Sequence, residues 1–263
     1  MLIHPKPHRM RTPLFAAFLA LAAGAARADP EIMVHQNDLA GRGEVTATLH
    51  ANITPRGDRA RSDGTWSTHR LASVMAELAT GLAPGWEAGV HLPFMRAGTT
   101  HGSARKGELG ASALMLRIKH VRELGDGLYW GFNGEYDVNA SRYVAEPRSI
   151  ELRGIVGHKG EILHLTANPH LIWGLGGGRA SEPPAFNVDW KATVRHTPAL
   201  AWGVELYTDW GRVNRPRPGQ GDRTLYLVLE TETPYGTVHL GLGRGFKDTP
   251  ERQILKLVWS TAF

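Results

Sequence analysis

Apolar and polar residues alternate along most of this chain. From Glu44, the set Val45, Ala47, Leu49, Ala51 and Ile53 interleaves with Thr46, Thr48, His50 and Asn52. A two-residue period of this kind puts the two sets on opposite faces of a β-strand. The same pattern returns near 73–78, 86–94, 114–119, 130–138, 150–156, 163–173, 188–195, 202–210, 225–232 and 238–242. It closes over 252–263, where Leu255, Leu257, Trp259, Thr261 and Phe263 form one stripe against Arg252, Lys256 and Ser260. The reading is of about twelve strands, each near the roughly 9–11 residues that a tilted membrane strand needs.

The connections alternate as well. Ala83-Pro84-Gly85, Gly125-Asp126-Gly127 and Pro234-Tyr235-Gly236 are tight turns, since Pro fixes φ and Gly accepts a positive one. Longer polar stretches such as Thr54–Thr68, Gly174–Phe186 and Val213–Asp222 fall between them, while the last such connection, near Lys247–Pro250, is shorter. Short turns at one end and long loops at the other, with an even strand count, predict a closed antiparallel transmembrane β-barrel of the outer-membrane type. The alternative is an exported soluble sandwich with the apolar stripes inside. Trp86, Phe94, Trp130, Trp173, Trp190, Trp202, Trp210, Trp259 and Phe263 favour the barrel, because they sit mostly near strand ends on the apolar parity, where rings suit a bilayer interface.

The N-terminus fits that compartment. Lys6, Arg9 and Arg11 precede an uncharged run to Ala26, and Ala26-Arg27-Ala28 offers small residues for cleavage before Asp29, so residues 1–28 are expected to be a signal peptide. Those residues hold four of the 30 basic groups and no acid, leaving 26 against 25 acids, or +1, for the remainder. The overall +5 therefore argues for no nucleic-acid partner. There is no cysteine to form a disulfide. Residues 29–43 are polar and aperiodic and are expected to form a periplasmic arm or a lumen plug, ahead of a barrel spanning 44–263.

One stretch resembles a known family. The run Gly81-Leu82-Ala83-Pro84-Gly85-Trp86-Glu87, followed by Gly89-Val90-His91-Leu92-Pro93, is similar to the porin-like outer-membrane family associated with the MetA pathway of phenol degradation. The resemblance spans mainly 72–96 and implies a monomeric barrel that moves small molecules, with no catalytic residue to carry over. Trp259 and Phe263 on the closing strand resemble the C-terminal signal read by the outer-membrane assembly machinery, which would be a partner in biogenesis.

The polar parity carries the candidate chemistry. The expected lumen-lining set is Glu77, Glu87, His91, Arg117, Lys119, Glu135, Asp137, Glu151, Arg153, His164, His170, Asp189, Lys191, Arg195, Glu205, Asp209, Glu230, Arg252 and Lys256. Charges inside a barrel stay ionised only when wet or paired, which predicts either a narrow passage crossed by ion pairs or a stapled, closed wall. Lys256 and Arg252 are expected to face acids such as Glu44. No metal or other cofactor is expected, because His164 and His170 share a face but lie about 20 Å apart along a strand.

A hydrolase is the other class to weigh. His101 and Ser103 have the spacing of a His-x-Ser pair in outer-membrane phospholipases, yet fall in a Gly/Thr-rich loop with no evident residue to orient the base. An enzyme is not expected. Gly174–Gly178 lacks the Lys-Ser/Thr of a phosphate loop. Arg56, Arg59, Arg61, Arg215 and Arg217 fall in the expected external loops, where guanidinium groups suit lipopolysaccharide phosphates. The sequence thus predicts a narrow porin-like channel in the outer membrane, with a lipid-modifying hydrolase or a closed structural barrel as alternatives.

Overall fold

The computed structural model describes residues 31–60, 65–102, 104–143, 146–177, 180–218, 221–246 and 249–263. The expected signal peptide, and with it the cleavage site, lies outside the described residues.

Twelve long strands form one closed wall: β1 (Val45–Gly57), β2 (Ala72–Ala83), β3 (Trp86–Arg96), β5 (Ala113–Gly125), β6 (Leu128–Asn139), β7 (Arg148–Lys159), β8 (Leu163–Gly174), β9 (Ala185–Thr197), β10 (Leu200–Arg212), β12 (Arg223–Thr233), β13 (Gly236–Phe246) and β14 (Glu251–Ala262). Two short pieces, β4 (Leu109–Ala111) and β11 (Arg215–Pro216), extend the wall beside β3 and β10 at the long-loop end. Each long strand pairs antiparallel with the next, β9 pairs with β10, and β14 pairs with β1 to close the ring. Among the described residues no helix is long and apolar enough to cross a membrane.

The side-chain distribution inverts that of a water-soluble protein. Leu78, Leu116, Val156, Leu227 and Leu242 are all more than half exposed on the outer face, with Leu227 at 62%. His50, Asn168 and Glu205 are 0% exposed inside, and Lys119 is 1%. Water as the outer solvent would make this the worst available distribution, whereas lipid outside and a polar interior make it favourable. The soluble-sandwich alternative required the reverse.

The strands run further than their apolar alternation at the long-loop end. β1 continues through Thr54 to Gly57 because its pairing with β14 shifts register after Ile53 and again after Arg56, letting a polar stretch stay in the ladder. One lapse weakens the wall: the β7–β8 ladder skips from Arg153↔His170 to Val156↔Ala167. Pro169 lies in that gap with no N–H to donate.

Part of the buried apolar side chains gather in three small clusters. At the long-loop end Trp66, Leu71, Met95, Ala97, Ala104 and Tyr143 pack together, with the Trp66 and Tyr143 rings 4.4 Å apart. They cover part of that mouth from within. The other two clusters each take in one residue from the segment that precedes β1.

Candidate functional site

The segment from Glu31 to Gly41 occupies the lumen. It leaves the wall at the tight-turn end, where Gly43 has φ of 76° and its N–H donates to the Gly81 carbonyl at 2.9 Å. The crossing is close: a Cβ on Gly81 would lie 2.2 Å from the Gly41 carbonyl oxygen. Only glycine lets the arm lie on the end of β2.

From there the arm climbs between inward side chains. The Ala40 N–H donates to Glu87 Oε2 at 2.7 Å, and Lys119 Nζ donates to the Asp38 carbonyl at 2.7 Å. Leu39 packs on Val121, Tyr129 and Ile155. Asn168 makes two bonds to His35, accepting its N–H at 2.7 Å and donating to its carbonyl at 3.0 Å. Asn168 falls in the β7–β8 lapse, so its side chain serves the arm where the wall itself is loosened. Higher still, Ile32 packs on Tyr226, Val228 and Ile254, and its carbonyl accepts from Lys256 Nζ at 3.1 Å. The arm is thus held inside the barrel by two apolar anchors, seven residues apart, and by hydrogen bonds to wall side chains.

Three ionic clusters line the wall around it. Arg117 on β5 bonds both Glu77 on β2 and Glu87 on β3, the latter at 2.6 Å. Arg153 on β7 lies 2.6 Å from Glu151 and 2.6 Å from Asp189 on β9, and His170 stands 3.0 Å from Glu151. Glu205 on β10 pairs with Lys256, stands 3.4 Å from Lys191 and 3.4 Å from His239, and Lys191 also bonds Glu230. Each cluster joins strands that are not all neighbours, so the charges reach across the curve of the wall as well as along a ladder. Buried charges paired in this way avoid the several kcal/mol that each would cost alone.

Most of the expected lumen set lies on this inner face, but not all in the same surroundings. His164 bonds Tyr129 at 2.8 Å and the Gln36 side chain of the arm. Asp137 accepts from Ser149 at 2.8 Å, and Asp209 accepts from the Gly211 N–H at 2.6 Å near the long-loop end. Arg195 is exposed at the tight-turn rim. Arg252 departs from the expectation: it is half exposed at the opposite rim, 3.6 Å from Asp58. Lys256 pairs with Glu205 over two intervening strands and not with Glu44, which instead accepts from the Gly41 N–H at the foot of the arm. Strand tilt and side-chain length decide these partners, and neither is visible in an alternating pattern.

Between the arm and the wall at the tight-turn end lies a cavity of about 490 Å³. Glu77, Glu87, Lys119, Lys191, Arg195 and Glu230 line it, together with Thr46, Thr48 and Ser260. It offers both signs of charge to a small solute.

The remaining candidates are dispersed. His101 bridges to Ala104 within the loop between β3 and β4, and Ser103 lies outside the described residues, as does Arg61. Arg56 and Arg59 belong to the β1–β2 side, while Arg215 and Arg217 stand beside β10, with β12, β13 and β14 between the two groups. Phe263 is exposed at the tight-turn rim, its N–H bonded to the Val45 carbonyl at 2.9 Å, and Trp259 Nε1 donates to the Tyr235 carbonyl at 3.0 Å.

The wall is that of an outer-membrane β-barrel, and solved structures of that class are similar to it. The COG4313 outer membrane channel from Pseudomonas putida F1 has a TM-score of 0.62 at 14% identity, covering 89% of this chain and 100% of that one. The KdgM porin has a TM-score of 0.55 at 8% identity, with 83% and 99% covered, and the NanC porin 0.51 at 9%, with 83% and 98% covered. At these identities the likeness is one of fold. No protein-family model matches the chain, so the resemblance to the phenol-degradation family rests on the 72–96 motif alone, and no curated protein matches it.

Proposed function

We propose that this protein is a narrow porin-like channel for small molecules, working as a monomer in the outer membrane, and that the arm from Glu31 to Gly41 keeps it shut at rest. The observation that carries the reading is how the arm is held. Two apolar anchors and a handful of hydrogen bonds fix it inside a wall whose three ionic clusters are built from wall residues alone, so those clusters stay intact when the arm leaves. Burying Ile32 contributes about 1.5–3 kcal/mol and each neutral hydrogen bond about 0.5–1.5 kcal/mol. Ordering the backbone of the arm costs about 1–2 kcal/mol per residue and offsets most of these gains, so a ligand with differential affinity for the two states can shift the balance. The fold shared with a channel and two porins supports the same reading.

Single-channel recording in planar bilayers tests it. The native barrel should open rarely, and Ile32→Ala with Leu39→Ala should raise the open fraction at least tenfold. If both barrels are folded and both stay silent, the protein is a closed structural barrel and the channel reading fails.

A further inference from the structure

We infer that Glu31, His91 and Glu135 form a site for a divalent ion of the zinc class, and that the ion ties the arm to the barrel wall. The site joins three separate elements: Glu31 comes from the arm, His91 from β3 and Glu135 from β6. One donor atom from each lies within 4.8 Å of the other two. Donors on a tetrahedral zinc ion at about 2.0–2.2 Å stand about 3.3 Å apart, so modest side-chain rotations bring the three onto one ion.

Two features point to a cation at this place. The His91 side chain is fully buried, and neither ring nitrogen has a hydrogen-bond partner. Nδ1 lies 3.6 Å from Glu135 Oε2 and Nε2 lies 3.5 Å from Glu77 Oε1, each just too far. Glu135 Oε2 is likewise buried and without a hydrogen bond. The residues opposite it in the ladders are Arg117 on β5 and Glu151 on β7. Arg117 turns away to Glu77 and Glu87, and Arg153 turns to Glu151 and Asp189. Among the described residues, no arginine or lysine comes within ion-pair distance of Glu135. Glu31, whose Oε1 also lies 3.3 Å from His35 Nε2, adds a second carboxylate to this dry place.

The surroundings suit a metal-bound imidazole. With Nδ1 on the ion, Nε2–H points at Glu77, which Arg117 holds in place. A carboxylate that takes the outer N–H of a ligating histidine fixes its tautomer and orientation. One nitrogen and two oxygen donors match zinc and its neighbours better than calcium or magnesium, which take oxygen alone. Sequence reasoning passed over the site because His91, Glu135 and Glu31 share no spacing.

The test uses the full-length barrel in detergent micelles, stripped with chelator and titrated with Zn²⁺, with Co²⁺ as the spectroscopic probe. One equivalent should bind, and the cobalt form should show the strong visible absorption of a tetrahedral ion. His91→Ala, Glu135→Gln and Glu31→Gln should each weaken zinc binding at least tenfold, while His196→Ala on the exposed rim leaves it unchanged. Heat-dependent gel mobility shows which variants are folded, and the isosteric glutamines keep the test valid if His91→Ala does not fold. Zinc should also slow proteolysis of the arm in the native barrel and not in Glu31→Gln. No zinc bound by the folded native barrel overturns the inference, as does unchanged affinity in Glu135→Gln or Glu31→Gln. These readouts do not depend on whether the barrel conducts.

Discussion

Single residues in the lumen are stable only as members of a set. Arg117 neutralises two carboxylates that are each less than a tenth exposed, so Arg117→Met takes the cation from both and leaves Glu77 to His50 at 3.3 Å and Glu87 to the Ala40 N–H. Losing one partner of a buried pair costs about 3–5 kcal/mol, and replacing the whole set with neutral groups restores most of it. Urea unfolding in lipid vesicles should show that loss for Arg117→Met, and recovery on adding Glu77→Gln and Glu87→Gln. A single variant indistinguishable from native would mean that water, not Arg117, keeps these carboxylates charged. The sequence marks such residues as inward by parity but does not pair them. Arg117 stands opposite Glu135 in the ladder, yet its guanidinium reaches back to the two strands before it. Arg252 has the inward parity of Lys256, but sits beyond a register shift at the rim.

At the scale of an element, the arm was the least legible part of the chain. It has no period, so a plug and a free terminus look alike in sequence, and its anchors Ile32 and Leu39 are ordinary residues in a polar stretch. The stretch around Gly81 and Glu87 is more informative than its resemblance alone suggested. Gly81 gives the arm room to cross, Gly85 makes the turn with φ of 77°, and Glu87 holds the Ala40 N–H. A run that reads as a turn between strands is thus also the seat of the arm. Gly81→Val should expel the arm's foot while leaving the strands paired, visible as loss of amide-exchange protection over residues 38–43 with unchanged β-sheet circular dichroism. Asn168→Leu removes both bonds to His35 and should raise exchange at His35 about tenfold, since two neutral hydrogen bonds contribute roughly 1–3 kcal/mol. Protection unchanged in both variants would mean that the apolar anchors alone hold the arm.

For the molecule as a whole, the barrel was readable because every strand repeats one instruction, apolar outward and polar inward. Twelve weak signals of the same kind outweigh the ambiguity of each, and the alternation of turns and loops gives the orientation. The strand ends were missed, where bulges carry polar residues such as Thr54 and Arg56 into the ladder, and so were the short β4 and β11 within the long loops. The two faces should respond differently to the same charge. Leu227→Arg, at mid-height on the outside of β12, should cost about 2–4 kcal/mol of folding free energy in bilayers. Thr46→Arg, beside the polar cavity, should cost less than about 1 kcal/mol. Equal costs at the two positions would contradict the assignment of lipid to the outer face.

The bond from Lys256 to the Ile32 carbonyl spans 224 positions of sequence. The arm leaves the ribosome before any strand, yet its upper seat is built from β12 and β14, the last part of the wall to be made. It cannot settle until the ring has closed, and while it waits, the lumen side chains it will cover stay hydrated. A segment synthesised before every strand is thus among the last to dock, and a seated arm requires β12 and β14 to be in place.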